Sequence, residues 1–353
     1  MPKFWCKIVL IAFVAIVGNR LLFAQEASFA GANYQPSLFD DTTLLHIKLE
    51  YNMDAVSRDV GDNPSEHQGQ LFYKDQWGGW VPLNVEVSTR GIFRKNPANC
   101  NFPPLMLRFN GKEAKSTIFG GTSKLKLVGH CQNGSKRHQE YLSKEYLAYK
   151  IYSLITSYSF RVRLAKISYI NTLSADTLTR FAFFIESKEL LAKRLDGFMV
   201  EQKNIHPNAT NRQIATLMAI FQYFIGNTDW SIKAQHNVVL VGLEPSAPTY
   251  PVPFDFDFSG MVNASYAQPA EALPIRSVRQ RYFNGYCRTP NEYNQVLAVF
   301  LGRKQEIYDL IYNFPHLSNR EKGKIIAYFD DFYFLLTNTK KSNRAFVKQC
   351  RTD

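Results

Sequence analysis

The spacing of apolar residues changes along the chain, and this change limits the folds that the sequence can adopt. Apolar and polar residues alternate over residues 44–51 (LLHIKLEY) and again over 123–128 (SKLKLV). Alternation with a period of two is typical of strands that bury one face. By the same signal, further strands are expected at 70–73, 80–89, 104–109, 161–169 and 180–185. The first half of the chain is therefore predicted to form a mostly antiparallel sheet.

A helical spacing interrupts this sheet once and then dominates the second half. Apolar residues recur every three to four positions in four segments: 138–156, 211–225, 292–313 and 319–338. Asn211 or Thr210 can cap the second segment and Gly226 can end it, while Ser318 with Glu321 reads as a capping box. Short strands are expected at 237–241 and 252–256.

This order of elements is found in bilobal kinase-like folds, and many other α+β proteins share it. We therefore predict an α+β protein with two lobes. The N-lobe, residues 41–187, would hold an antiparallel sheet and one long helix. The C-lobe, residues 188–353, would be mainly helical, with a β-hairpin that carries acidic motifs.

The first residues predict export. Lys3 and Lys7 precede an apolar run of about 10 residues, and a small residue, Ala24, closes the segment. The run is shorter than the roughly 20 apolar residues of a membrane span. We expect a signal peptide over 1–24, cleaved near Ala24, a flexible segment over 25–40, and a secreted or periplasmic protein with no integral membrane span after cleavage; an uncleaved anchor is the alternative.

The cysteines and the charge fit an exported globular protein. Cys6 leaves with the signal, and an even number remains: Cys100, Cys131, Cys287 and Cys350. Two disulfides are expected, and proximity in sequence favours Cys100–Cys131 and Cys287–Cys350 among the three connectivities. The net charge of +12 is spread along the chain without a dense basic segment. This pattern favours a solvated basic surface over a nucleic-acid partner.

The clearest chemistry lies in the segment FIGNTDWSIKAQHNVVL and the following YPVPFDFDFSG. Asp229 is expected in a loop after a buried helix, Asn237 eight positions later at the start of a strand, and Asp255 and Asp257 on the next strand. An aspartate, an asparagine, a hairpin and a second aspartate form a layout used for phosphoryl transfer. The first carboxylate can orient an attacking hydroxyl, and the later oxygens are ligands that Mg²⁺ or Mn²⁺ prefers.

The second aspartate motif is predicted to place its two carboxylates together. The three phenylalanines of PFDFDFSG are expected to face the core, so that Asp255 and Asp257 share the opposite face of the strand. Two carboxylates beside apolar surface are costly unless they are paired, hydrated or bound to a metal. The alternative is that Asp257 is paired with an arginine and that the segment around Asp229 only forms a turn.

Several motifs resemble known families. GNTDWS, HN and PFDFDFSG resemble the catalytic segment of CotH-type atypical kinases and, more distantly, of choline kinases and aminoglycoside phosphotransferases. The whole mature chain resembles a family of exported bacterial proteins without an assigned function, common in Bacteroidetes-type organisms. The motifs that carry this broader resemblance are STRGIFRKNPANCNFPPLMLRF, KLKLVGHC, YLSKEYLAYKIY, FRVRLAKISYINT, FIESKELLAKR and VRQRYFNGYC.

The resemblance implies roles for the acidic motifs. Asp229 matches the catalytic aspartate and Asn237 the metal-binding asparagine. Asp255 is the better match to the metal-binding aspartate, and Asp257 is the second candidate.

The resemblance also implies a phosphate-binding side in the first half of the chain. Lys126 would be the phosphate-binding lysine, with Lys124 as its rival on the same strand face, and Glu145 would be its ion-pair partner. Arg90 and Arg94 match an Arg-Gly…Arg element that approaches phosphates. Glu186 falls at the expected hinge between the lobes.

These observations lead to one main hypothesis and two alternatives. The main one is an exported kinase-like protein that binds Mg²⁺ or Mn²⁺ and ATP, another nucleotide or a different phosphorylated ligand, with a protein or glycan hydroxyl as acceptor. The first alternative is a pseudokinase-like scaffold at the cell surface, which the absence of a G-x-G-x-x-G loop favours. The second is a glycan hydrolase that uses Asp229 and Asp255 as a carboxylate pair.

Overall fold

The structure, a computed structural model, describes residues 37–352. The predicted signal peptide and most of the N-terminal segment predicted to be flexible lie outside these residues. The described residues belong to one compact unit.

Seven strands of the first half of the chain close into a barrel. They are β1 (Leu45–Tyr51), β2 (His67–Lys74), β3 (Trp80–Thr89), β4 (Leu105–Phe109), β5 (Lys124–Val128), β6 (Val162–Asn171) and β7 (Thr177–Ile185). The neighbours run in the order β1-β2-β3-β4-β5-β7-β6, and all of these pairs are antiparallel. A parallel pairing of β1 with β6 closes the barrel. The alternation in β1 has its expected effect, because Leu45, Ile47 and Leu49 are buried.

The described residues contain nine α-helices. They are α1 (Met53–Arg58), α2 (Gly111–Ala114), α3 (Lys136–Ile155), α4 (Lys188–Arg194), α5 (Arg212–Ile225), α6 (Pro290–Gly302), α7 (Lys304–Tyr312), α8 (Asn319–Thr337) and α9 (Thr339–Phe346). The predicted caps of α5 are confirmed, because Asn211 accepts a hydrogen bond from the Ile214 N–H and Gly226 adopts φ 69°. At α8, Ser318 accepts the expected hydrogen bond from the Glu321 N–H, but the Glu321 carboxylate pairs with lysines instead.

A small antiparallel sheet follows the barrel. It consists of β8 (Phe198–Val200), β9 (Val238–Gly242) and β10 (Tyr250–Pro253), in the order β10-β9-β8. The prediction that Asp255 and Asp257 lie on one face of a strand is wrong, because β10 ends at Pro253. Asp255 turns the chain with φ 64°, and it is exposed while Asp257 is buried.

The predicted bilobal kinase-like fold is also wrong. The sheet is a closed mixed barrel rather than an open antiparallel sheet with one helix. The largest hydrophobic cluster joins α3 and the strands β6 and β7 to α5, α6 and α8, so that it crosses the predicted lobe boundary at 187–188. A second cluster fills the barrel. Alternation shows which face of a strand is buried, but it does not show whether the outer strands of a sheet meet.

The two predicted disulfides are confirmed. Cys100 is bonded to Cys131 and Cys287 to Cys350. The first joins the segment after β3 to the segment after β5, and the second joins the segment before α6 to the C-terminal residues. No helix within residues 37–352 is both long and apolar enough to cross a bilayer.

Candidate functional site

A cavity of about 420 Å³ lies where the end of the barrel meets the loops of the small sheet. Eight of the nine side chains predicted for the site line this cavity: Arg90, Arg94, Lys126, Glu145, Asp229, Asn237, Asp255 and Asp257. They come from segments up to 167 positions apart in the sequence (257 − 90). The structure therefore brings together three cationic and four acidic side chains in one cavity.

Two cations on the barrel side have no acidic partner at ion-pair distance among the described residues. Arg90 follows β3 and donates from Nε to the Leu105 carbonyl at 3.2 Å. Lys126 projects from β5, and its Nζ lies 4.6 Å from the centre of the Phe254 ring. Burial, with the charge of Arg90 as a further cause, lowers the pKa of Lys126 to about 8. Lys124, the rival candidate, is exposed and lies outside the lining of the cavity.

Arg94 occupies the inner part of the site. It donates a hydrogen bond to the Gly129 carbonyl, and its Nη1 lies 3.8 Å from Oε2 of Glu145. The predicted pairing of Glu145 with Lys126 is therefore wrong. Glu145 is buried on α3, and burial, with the charges of Asp257 and Asp255, raises its pKa well above the usual range.

Asp257 and Asp255 differ in their surroundings. Asp257 is buried and accepts a hydrogen bond from the Tyr266 hydroxyl at 3.0 Å. Burial and the negative charge of Asp255 raise the pKa of Asp257 to about 7, although Arg94 opposes the shift. The Asp255 backbone N–H donates to the Tyr149 hydroxyl at 2.8 Å. Its carboxylate is exposed and has no hydrogen bond or ion pair within the described part of the chain.

Asp229 is held in a small polar network. Its Oδ2 accepts a hydrogen bond from Asn237 Nδ2 at 3.0 Å, and its Oδ1 lies 2.7 Å from His236 Nε2. The Asp229 backbone N–H donates to the Asn227 side chain at 3.1 Å. Asn237 adopts φ 52°, a left-handed conformation that asparagine tolerates better than most residues. Because its Nδ2 is engaged with Asp229, its Oδ1 stays available to a ligand.

Glu186 is the predicted site residue that does not line the cavity. It is buried at the end of β7 and accepts hydrogen bonds from Arg194 Nε at 2.9 Å and Nη2 at 2.8 Å. It also accepts one from the Arg161 backbone N–H. These contacts tie α4 to the barrel.

His236 lines the cavity and was not assigned a role from the sequence. Its position beside Asn237 was the only available signal, and a single histidine is weak evidence. Tyr149, which accepts a hydrogen bond from the Asp255 N–H, and Tyr266, which donates one to Asp257, were also assigned no role from the sequence.

A hydrated divalent ion fits the donor set better than a fully protein-ligated one. Within residues 37–352, no group of three or more His, Cys, Asp or Glu side chains is arranged to hold a metal ion. Mg²⁺ is commonly bound through one or two carboxylates, with water and ligand phosphates completing its coordination. The free carboxylate of Asp255 and the Oδ1 of Asn237 are donors of that kind.

No protein-family profile matches this sequence, and no curated protein is significantly similar to it. The family resemblance therefore stays a prediction.

Proposed function

We propose that the cavity binds a phosphorylated ligand together with Mg²⁺ or Mn²⁺ and supports phosphoryl transfer to a hydroxyl group. The observation that carries this proposal is the convergence of Arg90, Arg94 and Lys126 with four carboxylates in one cavity of about 420 Å³. A phosphate ligand bound with a metal ion would complement both the cationic and the acidic side chains, because phosphate oxygens are negative and the metal is positive.

The cations favour a phosphate as the anionic part of the ligand. Arg90 and Lys126 have no acidic partner at ion-pair distance within the described residues, and burial lowers the pKa of both groups, although the charge of Asp255 opposes the shift. A phosphate would offset the cost of burying these two positive charges. A guanidinium presents a planar pair of donors that matches phosphate oxygens, and lysine acts as a point charge.

The acidic groups favour a metal bound with the ligand. Asp255 would supply a carboxylate oxygen and Asn237 an amide oxygen to the metal. Asp257 is the second candidate for the carboxylate ligand. When bound, the metal would neutralise charge on the phosphate and act as a Lewis acid. The side chain of Asp229 is 41% exposed and is hydrogen-bonded to Asn237 and close to His236. It would help to orient the hydroxyl group that accepts the phosphoryl group.

An exported setting is part of the proposal. The two disulfides fit an oxidising compartment. Together with the signal-like residues 1–24, they support a secreted or periplasmic protein whose acceptor is a protein or glycan hydroxyl.

A binding protein without turnover is the second candidate. Both carboxylate oxygens of Asp229 already have hydrogen-bonding neighbours in His236 and Asn237. This arrangement leaves Asp229 poorly placed to accept a proton directly, and a cavity that only binds its ligand has no need of a proton acceptor.

A thermal-shift titration with ATP and either Mg²⁺ or Mn²⁺ tests the proposal. The parent protein is expected to be stabilised, because a ligand that binds the folded state raises the apparent stability. Asp255→Asn and Lys126→Met are expected to lose most of this shift. Lys124→Met is the matched control, since Lys124 is on the same strand but outside the cavity lining. The absence of a shift in the parent with ATP, pyrophosphate or inorganic phosphate would contradict the proposal.

A further inference from the structure

The hairpin between β2 and β3 ends in an exposed tryptophan. Trp77 lies in the turn of this hairpin and is 83% exposed. The Asp75 carboxylate accepts hydrogen bonds from the Trp77 N–H at 3.0 Å and from the Gly79 N–H at 2.8 Å. Gly78 adopts φ 83°, which glycine tolerates without strain. The turn is therefore defined by its own hydrogen bonds, and it presents a large apolar ring to solvent.

Two lysines and two further aromatic rings lie behind this tip on the outer face of the barrel. In the strand register Lys48 lies opposite Phe72, and Lys74 lies opposite Trp80. The neighbours of Lys48 and Phe72 along their strands are buried inside the barrel, so that these two side chains point outwards. Both ammonium groups lie against the ring of Trp80, because Lys48 Nζ is 4.5 Å and Lys74 Nζ is 5.5 Å from its centre.

This part of the barrel surface is positively charged. Neither Lys48 nor Lys74 has an acidic partner at ion-pair distance in the part of the chain that the structure describes. A third lysine, Lys166, lies on the neighbouring β6, two positions along from the residue opposite Lys48. Glu50 lies on the same face but two positions further from the tip, and the carboxylate of Asp75 is engaged by the turn. The surface therefore complements a partner with negative charge.

A projecting tryptophan with lysines behind it is suited to a lipid surface. The amphipathic ring of tryptophan is favoured at the depth of lipid headgroups, and lysines near a membrane are attracted by anionic lipid. A bilayer also accepts a projecting side chain without a complementary pocket. A sugar, by contrast, stacks on a free ring face, and the ring of Trp80 is already in contact with two ammonium groups.

We propose that the tryptophan surface, formed by Lys48, Lys74, Trp77 and Trp80, docks the protein on a membrane that contains anionic lipid. Trp77 enters the headgroup region, and the two lysines lie near the lipid phosphates. The ten positions from Trp80 to Arg90 (90 − 80) span about 30 Å along β3. Docking at the tip therefore leaves the candidate cavity open, and the inference does not depend on the proposed function.

Co-sedimentation with vesicles tests the docking. The protein used is the chain from residue 25, because the apolar run within residues 1–24 would itself bind lipid. This chain keeps all of the described elements and both disulfides of the compact unit. The parent should bind vesicles of phosphatidylcholine with about 30% phosphatidylglycerol, and should bind pure phosphatidylcholine far more weakly.

Two variants remove the two parts of the surface separately. Trp77→Ser should weaken binding to the anionic vesicles by about 10-fold or more, because the variant buries less apolar surface in the lipid. Lys48→Gln combined with Lys74→Gln should weaken it by about 30-fold, because two charges near the lipid phosphates are lost.

Matched controls change similar side chains elsewhere. Leu173→Ser removes a side chain that is 69% exposed in the turn between β6 and β7, at the opposite end of the barrel. Lys340→Gln combined with Lys341→Gln removes two exposed charges on α9. Both control variants should bind the anionic vesicles as the parent does.

Three results would overturn the proposal. The first is a parent that stays in solution with anionic vesicles, or that binds pure phosphatidylcholine equally well. The second is a loss of binding in the controls as large as in the variants of the tryptophan surface. The third is binding of heparin, a soluble acidic polysaccharide, that the same variants lose while the parent ignores vesicles, which would assign the surface to a glycan.

Discussion

The buried carboxylate of Asp257 gives the sharpest prediction for the stability of the protein. Its pKa is raised from 3.8 to about 7, mainly by burial and then by the charge of Asp255. The folded protein therefore binds this proton more tightly than the unfolded chain does between about pH 4 and pH 7. Stability must fall as the pH rises through this window, because the folded state then has to ionise a buried group.

The size of the effect follows from the shift. One pKa unit corresponds to about 1.4 kcal/mol, so that a shift of about three units corresponds to at most about 4 kcal/mol above pH 7. Asp257→Asn removes the charge and can still accept the hydrogen bond from Tyr266. We expect the variant to be more stable than the parent at pH 8, by up to about 4 kcal/mol, and similar to the protonated parent at pH 4.

Urea unfolding at pH 4, 6 and 8, with EDTA present to exclude divalent ions, measures this difference. Asp62→Asn, at an exposed aspartate, is the matched control and should leave the pH dependence of the parent unchanged. If the unfolding free energies of Asp257→Asn and the parent run parallel from pH 4 to pH 8, the reasoning about the buried charge is refuted.

Three further predictions concern structure rather than ligand binding. Glu186→Gln should lower the free energy of unfolding in urea by about 3 kcal/mol, because it leaves Arg194 without its carboxylate partner. The folded variant should keep the thermal shift with ATP and Mg²⁺. Loss of this shift without a loss of stability would show that Glu186 takes part in ligand binding. Replacing Cys287 and Cys350 by serine should cost about 4 kcal/mol by chain entropy, measured by the same unfolding, since the bridge spans 63 positions; an unchanged midpoint would contradict this. Gly226→Ala should lower the free energy of unfolding by more than about 1 kcal/mol in the same assay, because a Cβ there would lie 2.0 Å from the Tyr328 hydroxyl and φ is 69°. Gly302→Ala is the control and should not be destabilised, because a Cβ at Gly302 would meet no atom within 4 Å.

Local structure could be predicted from the sequence where one periodicity dominated. The alternation in β1 and β5 reflects strands that bury one face, whereas α3 and α5 are buried on all sides over 141–149 and 215–225. Closure of the barrel could not be predicted in the same way. It depends on the parallel pairing of β1 with β6, in which Leu45 lies opposite Ala165 across 120 positions of sequence (165 − 45).

The residues that line the cavity could be predicted more completely than the contacts between them. The motifs around Asp229 and Asp255 lie at the ends of elements, where side chains are free to converge on a cavity. The pairing of Glu145 could not be predicted, because it depends on how the loop that carries Arg94 folds over the end of the barrel. The contact of His236 with Asp229, at 2.7 Å, could not be predicted for a related reason, because it depends on how the loop before β9 folds.

A crystal structure of the protein with Mn²⁺ and a non-hydrolysable ATP analogue is the most direct test of the central claim. The anomalous signal of manganese locates the metal independently of the protein atoms. We predict one manganese peak in the cavity, within about 2.3 Å of an Asp255 carboxylate oxygen, and phosphate oxygens in contact with Lys126 and Arg90. Crystals grown under saturating conditions that show the analogue bound elsewhere, or no manganese at Asp255, would contradict the account.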